Sequence, residues 1–250
     1  MKTVIILSTL LFGLVGAKCS SAGNVDNVPK DFRVTLRDGG GMVREGATYF
    51  LSKDSSYAEI WDQDAKTKIY FKVSMSQLKK LYNIILENQF HEIETYEERV
   101  YDRGGTTISY RADGSSYEKS DAGMTFIQES WRDEFAAVEN EIREIVSNEL
   151  DRASIDVRLD IDDSVMDQDK IVNFNVGSSF TYMSARDGWE KIVTVRLYPG
   201  EHYMYVTMLN KDLSTEPGSK IFAQGQGILT IDKDTKSISV YRDGEKIYWK

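Results

Sequence analysis

Cysteine, histidine and proline are scarce in this chain. A single Cys among 250 residues excludes an intrachain disulfide and any multi-Cys metal centre. Two His, with no His-Glu-x-x-His, no Cys-x-x-Cys and no Gly-x-Ser-x-Gly, leave the common zinc and nucleophile-elbow signatures unmatched. Three Pro and 18 Gly leave no room for a long Pro/Gly linker. Bases are outnumbered, 31 against 40 acids. Such a balance repels nucleic acid and gives no general basic surface. What remains is globular composition, 41% hydrophobic and 28% charged, in a length that suits one or two domains.

The one long apolar run is at the start. Lys2 is followed by TVIILSTLLFGLV, Thr3 to Val15, and then by the small residues Gly16 and Ala17. The run is shorter than the roughly 20 residues a membrane span needs, and it has the layout of a secretory signal. Cys19 follows directly, with Ser-Ser-Ala-Gly-Asn behind it, the placement of a bacterial lipoprotein signal whose Cys is cut to residue one and acylated. Lys18 stands where such signals have a small residue; cleavage after Ala17 is the alternative and would release a soluble chain with a free thiol. A lone thiol is a liability in an oxidising compartment, which favours acylation. Two acyl chains hold well, at about 0.8 kcal/mol per buried CH2. Loss of residues 1–18 removes Lys2 and Lys18 and no acid, so 29 bases face 40 acids, a net of −11.

The domain reading is a signal peptide at 1–18, a tether at 19–30, an α+β domain at 31–150 and an all-β domain at 151–250. Strand alternation is expected at 32–36, 47–51, 57–61 and 68–73. Ser74-x-x-Gln77 is a capping box, and Leu78, Leu81, Tyr82, Ile85 and Leu86 then mark an amphipathic helix to about Asn88, with Phe90 and Ile93 at its exit. Asp113-Gly114 is a hairpin signal after a strand at 106–110. Ile127, Trp131, Phe135, Val138, Ile142 and Ile145 predict a long helix from about Thr125, with charges, Glu141 among them, on its other face. After Leu150 strands are expected at 157–161, 171–176, 191–197 and 203–208, with a turn at 198–201, and a closing hairpin at 228–241 through DKDTK. The fold class is therefore α+β: an N-terminal antiparallel sheet with two helices, followed by an all-β sandwich-like domain.

Candidate chemistry is sparse. Gly39-Gly40-Gly41 lacks the Lys-Ser/Thr and helix of a phosphate-binding P-loop and reads as a flexible turn. It and Asp102-Arg103-Gly104-Gly105 form a candidate loop-built site if the two turns are adjacent. Asp160, Asp162, Asp163, Asp167 and Asp169 are hard oxygen ligands and a candidate calcium site. The EF-hand pattern fails there, with Val165 in place of Gly and Ile171 in place of the bidentate Glu, so a solvated loop is the plainer reading. A glycosidase-type carboxylate pair cannot be picked from 40 acids by sequence. Aromatics gather at Tyr49, Phe50, Tyr57, Trp61, Tyr70 and Phe71 and again at Tyr182, Trp189, Tyr198, Tyr203, Tyr205, Tyr241, Tyr248 and Trp249, as core or as exposed contact residues.

Val100-Tyr101-Asp102-Arg103-Gly104-Gly105-Thr106-Thr107-Ile108, with Asp121-Ala122-Gly123-Met124-Thr125-Phe126 and Trp131, Gly39-Gly40-Gly41-Met42 ahead of Tyr49, and Asn88-Gln89-Phe90, resembles a family of short Bacteroidota (flavobacterial-type) lipoproteins of unknown function. The resemblance spans about residues 30–148 and implies an exported, lipid-anchored α+β domain; the family has no established activity, so the resemblance points to no catalytic residue. The functional expectation is a binding or assembly module at the cell envelope, whose partners are the membrane through its lipid anchor and an envelope protein or glycan. A hydrolase using acidic residues on glycan or peptide substrates is the alternative.

Overall fold

The computed structural model describes residues 27–41, 45–167, 169–177, 179–184, 190–210 and 221–250. The expected signal segment, Cys19, most of the expected tether and Trp189 lie outside the described residues. The first half is a six-stranded antiparallel sheet ordered β4-β3-β2-β1-β6-β7. Its strands are β1 (Arg33–Gly40), β2 (Glu45–Ser52), β3 (Ser56–Asp62), β4 (Ala65–Phe71), β6 (Gly104–Ala112) and β7 (Ser115–Asp121). A short pair, β5 (Thr95–Glu97) with β8 (Thr125–Ile127), stands beside it. Alternation is clean: Val34, Leu36, Leu51, Ala58 and Ile108 are buried on one face, and Arg33, Arg37 and Tyr70 are exposed on the other.

Helices α1 (Met75–Glu87) and α2 (Arg132–Ala153) cover the buried face. The capping box forms as expected, Ser74 Oγ accepting from the Gln77 N–H while the Gln77 side chain accepts from the Ser74 N–H. Leu78, Leu81, Ile85, Phe135, Val138 and Ile142 meet in the core, each contributing about 1.5–3 kcal/mol by leaving water. Two details differ from expectation. The long helix starts at Arg132, because Thr125–Ile127 is drawn into pairing with β5 and a 3-10 turn follows at Glu129–Trp131. Glu141 is not on a solvated face: it is buried between the helices, paired at 2.7 Å with Lys80 of α1.

The second half is one eight-stranded sheet, ordered β11-β10-β13-β14-β16-β15-β9-β12. These strands are β9 (Ile155–Ile161), β10 (Lys170–Val176), β11 (Ser179–Ser184), β12 (Ile192–Leu197), β13 (Gly200–Asn210), β14 (Ile221–Ile231), β15 (Ser237–Asp243) and β16 (Lys246–Trp249). The expected closing hairpin is corrected. β14 and β15 are not neighbours, because the Asp243–Lys246 turn folds β16 back between them, leaving DKDTK to bridge two strand spacings. The 198–201 turn likewise joins strands that do not pair. Two parallel pairings, β14 with β16 and β15 with β9, make the sheet mixed, where the sandwich expectation has two antiparallel sheets. All eight strands belong to one sheet because the β14–β16 contact joins its two halves and the β15–β9 contact carries it on to β12. A second core of Val157, Leu159, Val172, Phe174, Met204 and Val240 is separate from the first, and the change from one to the other falls between α2 and β9.

Candidate functional site

A cleft of about 470 Å³ lies where the two halves meet. The first half supplies Asp38 and Gly39 from the end of β1, Glu45 to Ala47 and Tyr49 from β2, and Ile60 to Asp62 from β3; the second supplies Gly177 and Tyr198. Antiparallel register builds the acidic side: Asp38 pairs with Ala47, Ala47 with Ile60, and Glu45 with Asp62, so the three carboxylates start from one end and one face of the sheet. Trp61 forms a rim. Its indole lies over Gly46, where an added Cβ would fall 2.5 Å from a ring carbon. Only a glycine there lets the ring close down on the strand.

The carboxylates are not equivalent. Asp38 is held at 2.9 Å by Arg143 of α2, which also holds Glu139 at 2.8 Å. Glu45 and Asp62 have no ion-pair partner among the described residues. Burial, then the neighbouring charge of Glu45, pushes the Asp62 carboxyl above the ordinary carboxylate range. The phenols stay protonated. Burial pushes Tyr198 up to about 12, aided by Asp62 and Tyr49, and burial raises Tyr49 against the pull of Arg143. Behind the cleft, His202 is buried, its ring tilted 41° against that of Tyr198 with centroids 4.5 Å apart, and its Nε2–H donates to the Tyr198 carbonyl at 2.8 Å. Burial lowers its pKa, so the ring is neutral near neutral pH. Phenol donors, carboxylate acceptors and aromatic ring surface around one cleft are the groups that grip a hydroxyl-rich ligand.

The two glycine turns named from the sequence are adjacent. Gly39 pairs with Gly105 and Gly40 with Gly104 across β1 and β6. Of these residues only Gly39 reaches the cleft. Arg103 is spent on structure: it pairs with Asp121, donates to the Thr125 carbonyl at 2.9 Å and lies 3.9 Å over the Phe126 ring. Asp102 is an exposed turn residue at φ 56°.

The acidic loop is bonded locally. Asp162 accepts from the Ser164 N–H at 2.8 Å, Asp167 from the Asp169 N–H at 3.0 Å, Asp160 pairs with Arg158 and Asp163 with Lys191. Among the described residues no group of three His, Cys, Asp or Glu is arranged around a common metal position. Glu45, Asp62 and the joint role of Tyr49 with Tyr198 were not singled out by sequence; the only signal was the aromatic clustering that included Tyr49, Trp61 and Tyr198. No family model, curated protein or solved structure matches this chain.

Proposed function

We propose that the protein is an exported lipoprotein of the bacterial cell envelope, acylated at Cys19, and that it binds a glycan segment in the cleft between its two halves. The cleft carries this reading: Tyr49, Trp61 and Tyr198 offer ring surface and donors, Asp38, Glu45 and Asp62 offer acceptors, and both halves contribute. The volume lies in the range of small-ligand pockets. The anchor rests on the Thr3–Val15 run and the position of Cys19, and on the resemblance to Bacteroidota lipoproteins over residues 30–148. The second half is read as sandwich-like: strands β11-β10-β13-β14 and β16-β15-β9-β12 meet at one thin parallel contact, and β9, β10 and β12 to β16 bury residues in one core.

Two experiments test this. Metabolic labelling with a palmitate analogue should mark the wild type and not Cys19→Ala. Calorimetric titration with soluble peptidoglycan and capsular oligosaccharides should show one site, lost in Trp61→Ala. Absence of binding to every such sugar would remove the glycan reading.

One observation favours the hydrolase alternative: Asp62, with its raised pKa, faces Glu45 across paired strands, the arrangement of an acid and a second carboxylate. New reducing ends that accumulate with the wild type, and not with Asp62→Asn, would select it over simple binding.

A further inference from the structure

The face of the six-stranded sheet that the helices leave open has its own chemistry. Its strands carry Arg33, Arg37, Lys66, Lys68 and Arg111 outward against only Glu59 and Glu118. That is a basic face on a chain of net charge −9. Arg33 and Arg37 have no acidic partner among the described residues. Glu59 holds Lys66 at 3.0 Å and reaches Lys68 at 3.9 Å, and Lys68 also lies 3.7 Å over the Tyr57 ring.

Two features sit within this basic field. Phe50, Tyr57 and Tyr70 are cross-strand neighbours whose rings follow one another at 5.3 and 6.0 Å, and Tyr70 is 69% exposed. Beside them, Arg33 and Arg111 flank a hollow of about 190 Å³ that Thr35, Ser109 and Ser116 also line. Asp31 takes only the Nε of Arg111, at 3.2 Å, and spends its remaining capacity on the N–H groups of Asp113 and Gly114. The terminal guanidinium nitrogens stay available. Two guanidinium groups with three hydroxyls in a hollow of this size match the oxygens of a phosphoryl group.

The tether makes the location meaningful. Asp31, which fastens Arg111, is two residues from Arg33, so the chain enters the fold beside the hollow. Residues 19–26 span at most about 29 Å when extended. A chain held at Cys19 therefore keeps this end of the sheet close to the bilayer. The glycan cleft opens at the other end of β1, at Asp38 and Gly39.

We propose that this open face lies against the anionic headgroups of the membrane that holds the anchor. The Arg33–Arg111 hollow takes a lipid phosphoryl group, and the Phe50–Tyr57–Tyr70 row sits at headgroup level, where aromatic rings are favoured. This rests on the lipid-anchored reading above. The face would hold the first half in one orientation and aim the cleft away from the bilayer.

The test uses the chain from residue 19 with Cys19→Ser, so that no acyl chain contributes. Its binding is compared on phosphatidylcholine vesicles with and without phosphatidylglycerol. Binding should require the anionic lipid. Arg33→Glu with Arg37→Glu should weaken it at least about thirtyfold, from roughly 1 kcal/mol per basic residue lost at the surface with added repulsion from each Glu. Lys236→Glu with Lys246→Glu, the same charge change on exposed positions of the second half, should leave it unaltered. Thermal melts confirm that each variant folds. Inorganic phosphate at matched ionic strength should compete, and should move the resonances of Arg33 and Arg111. Equal weakening by both double variants, or no preference for the anionic lipid, overturns the proposal. Phosphate shifts without vesicle binding overturn it too, leaving a small-anion site. Palmitate labelling keeps the two readings apart: a labelled wild type with no anionic preference retains the anchor and loses the face, and an unlabelled one loses the anchor on which the face depends.

Discussion

Thr67 and Glu201 form a reciprocal pair across the two halves: the Thr67 hydroxyl donates to the Glu201 carbonyl at 2.9 Å and accepts from the Glu201 N–H at 2.6 Å. Thr67 is buried, and the start of β13 fits closely over it, since a Cβ at Gly200 would fall 2.1 Å from the Thr67 methyl. Tyr198 lies just upstream of that contact, so the pair sets where one wall of the cleft stands. Thr67→Val keeps the shape and removes both bonds. Unfolding free energy should fall by about 1–3 kcal/mol, and ligand affinity in the cleft should fall with it. Thr67→Ser, which keeps the hydroxyl, should recover most of the loss in denaturant titration.

Gly46→Ala tests the Trp61 rim. The new Cβ would meet ring carbons at 2.5 and 2.6 Å and the Asp38 carbonyl oxygen at 2.7 Å. The indole must lift or the strand must shift, at about 1–3 kcal/mol of stability. Denaturation midpoint and affinity should both drop. Gly46→Ala combined with Trp61→Ala should regain part of the stability and none of the binding.

His202 sets an acid limit on the fold. Burial lowers its pKa in the native state, so the unfolded chain takes up the proton more readily. The native state is favoured most above the ordinary value near 6.5, and that advantage is lost as pH falls below it. The melting temperature of the wild type should therefore decline between about pH 7 and 5. His202→Gln should flatten that decline. His91→Gln, at an exposed position, should not.

Asp62 works in the opposite sense. Its raised pKa means that the native state disfavours the charged form: stability is full below the ordinary 3.8 and is lost as pH rises through the elevated native value. At neutral pH the carboxylate therefore sits beside Glu45 at a cost. Asp62→Asn should raise the melting temperature at neutral pH while weakening glycan binding, the trade expected where a site keeps charges for its ligand. A variant that melts higher and binds unchanged would take Asp62 out of the site.

The local elements were legible in the sequence because short-range rules decide them. Ser74 and Gln77 cap α1 whatever lies beyond, and Leu78, Leu81 and Ile85 recur at helical spacing. Asp113 and Gly114 adopt the left-handed angles, φ 49° and 78°, that their hairpin needs. The start of α2 was misplaced by several residues because Thr125–Ile127 is pulled into β structure by Thr95–Glu97, some thirty residues earlier, and no helical period records that contact. The candidate site was harder to see. Gly39 and the aromatics Tyr49, Trp61 and Tyr198 stand out by type, but Glu45 and Asp62 look like any of 40 acids until strand register sets them opposite each other.

The sequence by itself determined the apolar run ahead of Cys19, the acidic balance, the two amphipathic helices and the alternation of most strands, since each depends on residues a few positions apart. Only the tertiary structure decided that β16 slips between β14 and β15, that Thr67 meets Glu201, and that Tyr49, Trp61, Asp62 and Tyr198 share one cleft. Those outcomes join residues as far apart as Thr67 and Glu201, 134 positions along the chain. They are selected by burying two cores and satisfying backbone bonds together, and no local pattern carries that information.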